Sequence, residues 1–228
     1  MARSLRPRAV VFDLDGLIFD TEALFHRVAG EMLEARGKRF TPEIMAAMIG
    51  RRAVDAGEAF RRMAGLDEPA EVLMAEARRR FMAEVDAAVH PTPGLIALLN
   101  RLERCGIPRA VATSSRRLYA EGLLERHGLL AHFAFVLTGD DVTHGKPDPE
   151  IYLKASARLG LPPETILVLE DSPPGVTAAR ASGAFTVGVP HEHSPAQFLE
   201  HADMIVSRLD DHALLDFFPG SGLDDEFR

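Results

Sequence analysis

Cysteine is nearly absent from this chain of 228 residues, and having Cys105 alone excludes an intrachain disulfide and any CxxC zinc or redox site. A reducing cytoplasm is the compartment that such usage fits. Positive charge is in deficit: the net charge of −8 removes the attraction that supplies most non-specific affinity for nucleic-acid backbones. Long apolar runs are missing too. None approaches the ~20 residues of a membrane-spanning helix, and the run that follows the basic Arg3, Arg6 and Arg8 meets Asp13 too soon for a secretory signal. No internal repeat or low-complexity tract is present. What the chain has is 46% hydrophobic residues, enough to bury a substantial core as one domain, or as one domain with an insertion. The expectation is a cytoplasmic monomer with no nucleic-acid or membrane partner.

The most informative segment is Val10-Val11-Phe12-Asp13-Leu14-Asp15-Gly16, an apolar run that ends in two carboxylates two residues apart. Side chains at that spacing on a strand point the same way, so Asp13 and Asp15 share a site where Gly16 lets the chain turn. Carboxylates held together repel. They imply either a bound cation or a division into one ionised and one protonated group. A calcium loop is disfavoured because Leu17 stands at the fifth position, where an oxygen ligand is needed, and Ile18 at the sixth, where a glycine is needed.

Strand-like and helix-like segments alternate along most of the chain. Strands are predicted at 8–12, 108–112, 135–137, 166–169, 185–189 and 204–206, with helices at 119–127, 149–159 (Asp148 as N-cap) and 175–181. Such alternation implies a parallel sheet covered on both faces, whose ligands bind beyond the carboxyl ends of the strands. Residues 19–89 differ. Leu24, Val28, Met32 and Ala35 recur at helical spacing, as do Ala59, Phe60 and Met63, then Val72, Leu73, Ala77, Phe81 and Val85. A helical unit inserted at 19–89 therefore divides a core made of residues 1–18 and 90–228. His90-Pro91-Thr92-Pro93-Gly94 forms its exit, with Pro93 opening the next helix. Such a unit is suited to act as a lid.

Three more polar clusters follow predicted strands: Thr113-Ser114-Ser115, the segment around Lys146, and Glu170-Asp171. Each alone reads as a turn, a surface lysine or a helix cap; their convergence at strand ends points to phosphoryl transfer. A carboxylate attacking a phosphate ester meets another anion, at a cost of about 4 kcal/mol for close unit charges in a protein-like dielectric. Hard oxygen ligands from Asp13 and Asp171, with the main-chain carbonyl of Asp15, suit Mg²⁺. Lys146 adds positive charge, while Thr113 and loop amides, with Ser114 and Ser115, can hold phosphate oxygens.

On these motifs the chain resembles the haloacid dehalogenase superfamily, in the branch with a helical cap inserted after the first strand. Asp13-Leu14-Asp15-Gly16 is similar to the first family motif, Thr113 to the second, Lys146 to the third and Glu170-Asp171 to the fourth. The resemblance implies a Rossmann-like core with an all-helical cap, Asp13 as the nucleophile that forms an aspartyl-phosphate, and Asp15 as general acid and then base. It also implies that Lys146 stabilises Asp13 and the phosphoryl group, and that Glu170 and Asp171 hold magnesium.

Asp15 favours phosphate esters over carbon–halogen bonds, because a leaving alkoxide needs a proton, and a helical cap over the site favours small soluble esters. The alternative, a β-phosphoglucomutase-type sugar phosphomutase, usually carries a cap histidine where this chain has Phe25. The segment around Gly50, together with the Thr113 and Lys146 motifs, most resembles the pseudouridine-5'-phosphatase branch. Gly50, Arg51 and Arg52 are candidate substrate contacts, since a glycine-hinged basic pair can meet a phosphate or a sugar hydroxyl. His191-Glu192-His193 is read as a loop and not as a metal tripod.

Overall fold

Short, wholly apolar runs become strands where both their faces can be covered. The computed structural model describes residues 6–48, 53–192 and 194–219. Among them the strands are β1 (Ala9–Phe12), β2 (Arg109–Ala112), β3 (Val136–Leu137), β4 (Ile166–Glu170), β5 (Phe185–Gly188) and β6 (Met204–Ile205). They form one parallel sheet in the order β3-β2-β1-β4-β5-β6.

The helices are α1 (Glu22–Glu34), α2 (Pro42–Met48), α3 (Ala53–Ala64), α4 (Ala70–Ala88), α5 (Leu95–Arg104), α6 (Arg117–Arg126), α7 (Glu150–Leu159), α8 (Pro173–Ser182) and α9 (His212–Leu215). The chain divides into two compact units, Asp20–His90 and the remainder. The unit with the sheet is an α/β, Rossmann-like fold; the inserted unit is all helical.

β1 is an interior strand, with Val10 opposite Arg109 on one side and Leu167 on the other. Its side chains are buried on both faces, as a parallel sheet covered by helices requires. Ala9 and Val11 join Ala110, Ile166 and Val168 in a core completed by Tyr152 and Ala155 of α7 and Ala178 of α8. Phe12, which points the other way, meets Phe133 edge-on at 5.6 Å. Burying such apolar side chains contributes roughly 1.5–3 kcal/mol each.

The chain turns sharply after β1. Gly16 has φ 84°, where a side chain is disfavoured, and its amide donates to the Phe19 carbonyl at 2.8 Å. The return strand segment is fastened beside it, with Thr92 donating to the carbonyls of Leu17 and Ile18. The predicted start of the next helix at Pro93 is corrected. Gly94, with φ 90°, precedes the first helical residue Leu95, and a Cβ there would lie 2.6 Å from the Asp210 amide nitrogen. The leucines of α5 at 95, 98, 99 and 102 then form the buried stripe of an amphipathic helix.

In the helical unit, Leu24, Val28, Ala29, Met32 and Leu33 of α1 are buried. Arg36 ties this helix to the chain before and within α4, holding Glu68 and Glu76 at 2.7 Å each. The apolar pattern overstates burial at three positions. Ala35 lies beyond the end of α1 and is exposed, and Met63 and Val72 also face outward. On α4 the buried face follows Leu73 and Val85; Val72 is rotated off it by one residue.

Candidate active site

The sheet delivers its polar side chains at the carboxyl ends of β1, β2 and β4. Asp13, one residue past β1, is anchored by its amide to the Leu169 carbonyl at 3.1 Å. Its carboxylate is buried and accepts from Lys146 Nζ at 2.5 Å. The same ammonium donates to Glu170 Oε1 at 2.6 Å and to the Ala112 carbonyl at 3.0 Å. One cation therefore ties together the ends of three adjacent strands.

Lys146 lies on the loop before α7. That loop is shaped by Glu150, which accepts from the amides of Thr143 and His144. Asp148, predicted as the N-cap, accepts from the Glu150 amide at 2.9 Å, although the helix is capped at Pro149 and begins at Glu150.

Glu170 is fully buried and accepts four hydrogen bonds. Lys146 and Tyr152 donate to Oε1, and the amide and hydroxyl of Ser172 donate to Oε2. Ser172 also caps α8 by accepting from the Gly175 amide. Gly175 is required here, because a Cβ would overlap the Glu170 carboxylate. Gly175→Ala is expected to cost about 1–3 kcal/mol, the usual penalty for overpacking, seen as a lower thermal unfolding temperature. An unchanged transition would show that the carboxylate has room to move aside.

Asp171 is the third buried acid. Its carbonyl accepts from Ser194 Oγ at 2.5 Å, and its Oδ2 lies 3.1 Å from His191 Nε2. An ionised carboxylate only accepts, so in that state the histidine nitrogen is the donor.

Asp13, Glu170 and Asp171 offer oxygens within 4.8 Å of one another. Three buried carboxylates facing one ammonium carry excess negative charge. Burial pushes Asp13 up to about 7, a rise that Lys146 opposes and Glu170 and Asp15 reinforce. Burial disfavours the charge on Lys146, but Asp13 and Glu170 outweigh it and hold its pKa well above the usual lysine value. Gly16 brings the backbone against Asp171 so closely that a Cβ would overlap its carboxylate. A hard oxygen cluster of this charge, with a bare backbone beside it, fits a divalent cation.

Asp15 stands apart from that cluster in its partners. It is half-buried, and it accepts from Ser115 Oγ at 2.6 Å and from Tyr119 Oη at 2.9 Å. Thr113 is buried and accepts from the Ser115 amide at 3.0 Å, leaving the hydroxyl hydrogen to give to another acceptor. Ser114 is exposed.

Thus Asp13, Asp15, Thr113, Lys146, Glu170 and Asp171 all lie at one edge of the sheet. Ser115, expected to hold substrate, donates its hydroxyl to Asp15. Gly50, Arg51 and Arg52 lie outside the described residues. Sequence reasoning missed Tyr119, Tyr152 and His191, which contact Asp15, Glu170 and Asp171 respectively. A signal existed for the first two: they are the only tyrosines in the chain.

A parallel sheet that presents these acids and one lysine at its carboxyl edge defines a hydrolase class. The chain belongs to the haloacid dehalogenase-like hydrolase family, whose profile it matches over residues 10–189. It is 33% identical to (DL)-glycerol-3-phosphatase 1, mitochondrial, of Arabidopsis thaliana, over 92% of this chain and 71% of that protein. It is 32% identical to validoxylamine A 7'-phosphate phosphatase of Streptomyces hygroscopicus subsp. limoneus, over 89% and 94% of the two chains. The fold is similar to the crystal structure of a HAD family hydrolase from Deinococcus radiodurans R1 with bound phosphate and sodium. There the TM-score is 0.79 at 25% identity, with 95% of this chain and all of the other covered.

Proposed function

We propose that this chain is a phosphoric monoester hydrolase that cleaves small phosphate esters, of the sugar phosphate or nucleoside monophosphate type, through an aspartyl-phosphate on Asp13. The observation that carries the reading is the unlike environment of two carboxylates two residues apart. Asp13 is buried against Lys146, whereas Asp15 is half-buried among hydroxyls. Carboxylates set in different surroundings take different roles.

In the first step an Asp13 oxygen forms a bond to phosphorus while the ester P–O bond breaks, and Asp15 gives its proton to the leaving oxygen. In the second step Asp15 takes a proton from the water that attacks phosphorus. Inorganic phosphate leaves and the Asp13 carboxylate is restored. Lys146 steadies Asp13 and the phosphoryl oxygens, and Thr113 is suited to donate to one of those oxygens. Asp13 and Asp171, with Glu170 and the Asp15 carbonyl, would hold Mg²⁺, which supplies charge neutralisation for the phosphoryl group. Glu170 shares that duty with holding Lys146, since its oxygens already accept four hydrogen bonds.

The glycerol-3-phosphatase and the validoxylamine phosphatase support a small, soluble ester as substrate. No helix among the described residues is long and apolar enough to cross a membrane. The single cysteine fits a reducing cytoplasm, and the net charge of −8 argues against a nucleic-acid partner.

The test is phosphate release from a panel of glycerol, hexose, hexitol and nucleoside monophosphates, with Mg²⁺ and after chelation. Release is expected to fall by roughly a hundredfold or more on chelation, as electrostatic stabilisation of the phosphoryl group is lost, and to return with Mg²⁺. Metal-independent turnover, or none with any ester, would overturn the reading.

A further inference from the structure

We infer that Tyr119 is a positioning residue for Asp15, aiming this carboxyl group for proton delivery, with Ser115 as its partner in that task. The inference rests on the proposed role of Asp15 as acid and base, and it adds a residue that no motif contains. Tyr119 lies in the first turn of α6, and its hydroxyl donates to Asp15 Oδ1 at 2.9 Å. Ser115 donates to the other oxygen, Oδ2, at 2.6 Å.

One donor on each oxygen fixes both the position and the plane of the carboxyl group. The two donors also differ in stiffness. Tyr119 reaches Asp15 from a rigid ring on a helix, so its oxygen can move little. Ser115 sits in the turn after β2, held by its amide to Thr113 Oγ1 and by its carbonyl to the Gly139 amide at 2.9 Å. Its hydroxyl rotates, and can accept as well as donate. When Asp15 carries its proton on Oδ2, the Ser115 hydroxyl can turn aside and leave that proton to the leaving oxygen, while Tyr119 keeps its hold on Oδ1. The pair thus accommodates both protonation states without moving the carboxyl group.

Proton transfer depends steeply on this placement, because small errors in the position of a reacting group cost up to about a hundredfold in rate. The cost falls only on esters that need the proton. An alkyl phosphate leaves as a strongly basic alkoxide and requires it. 4-Nitrophenyl phosphate leaves as a stable phenolate and does not.

The experiment compares first-turnover release of the leaving group from glycerol phosphate and from 4-nitrophenyl phosphate, for the wild type, Tyr119→Phe, Ser115→Ala and Asp15→Asn. Tyr119→Phe is expected to slow the alkyl ester about 10- to 100-fold and the aryl ester less than about threefold. Ser115→Ala should follow the same pattern. It carries the test if Tyr119→Phe fails to fold, because its amide and carbonyl contacts remain.

Equal loss on both esters would mean a merely structural role for Tyr119. No loss, or faster turnover, would also overturn the inference, the latter by showing that Tyr119 restrains Asp15. Asp15→Asn separates the two levels. If it slows both esters alike, the acid–base reading fails; if it slows the alkyl ester selectively and Tyr119→Phe does not, only the positioning role fails.

Discussion

Asp13→Asn is expected to fold and to lose at least about a thousandfold in kcat/KM, equivalent to about 4 kcal/mol of transition-state stabilisation. The amide is nearly isosteric with the carboxylate but cannot form the acyl phosphate. The loss should appear in kcat for every ester, good and poor leaving groups alike, because the nucleophile is needed whatever departs. That separates it from changes at Asp15. Thermal unfolding should move little, since Lys146 keeps Glu170 at 2.6 Å and the crowding of three buried acids is relieved. Residual activity above about a tenth of the wild type would show that Asp13 is not the attacking group, whatever the site's overall shape.

Lys146→Met is expected to damage stability as well as catalysis. The ammonium is buried and bridges Asp13 and Glu170, so the change leaves two carboxylates without their counter-charge in a dry setting. Breaking a buried pair from one side costs about 3–5 kcal/mol, which in a chain of this size lowers the unfolding temperature by on the order of 10 °C. The rate should fall by a further factor of a hundred or more if, as proposed, this charge steadies the phosphoryl group.

The double variant Lys146→Met with Glu170→Gln tests the cause. Removing the orphaned charge should return part of the stability and none of the activity. The departure from additivity measures the coupling between the two side chains. If the double variant were less stable than Lys146→Met alone, packing would be the source of the loss.

These effects trace to residues that the sequence displays with unequal clarity. Asp13 and Asp15 are legible because an unbroken apolar run must be a buried strand and must stop somewhere, and the acids mark the stop. Lys146 and Glu170-Asp171 are legible for the same reason, as polar residues beyond predicted strand ends. Their pairing is not. The reach of Lys146 to both Asp13 and Glu170 depends on β4 lying beside β1, a tertiary fact that no local spacing encodes. Tyr152 is hidden because an aromatic on a buried helix face reads as core, which it also is; only its hydroxyl betrays the second task. Tyr119 is hidden because the predicted helix begins there, whereas α6 starts at Arg117 and so places the ring within reach of Asp15. His191 follows a proline in an irregular segment, where periodicity says nothing. In the helical unit the spacing identifies the helices but overcounts their buried faces at Ala35, Met63 and Val72, since an amphipathic stripe admits fewer positions than an apolar composition offers.

The placement of β1 in the middle of the sheet bears on how the enzyme is born. Ala9 pairs with Ile166 on one side and Val10 with Arg109 on the other, so β1 waits for its second neighbour until β4, far along the chain, has been synthesised. Contacts this distant along a chain slow folding. Until β4 arrives, β1 is an apolar edge able to pair with the wrong chain. Its protection in that interval must come from elsewhere, either from prompt docking on β2 or from a chaperone. The strand that leads into Asp13 is thus also the one most exposed to misassembly.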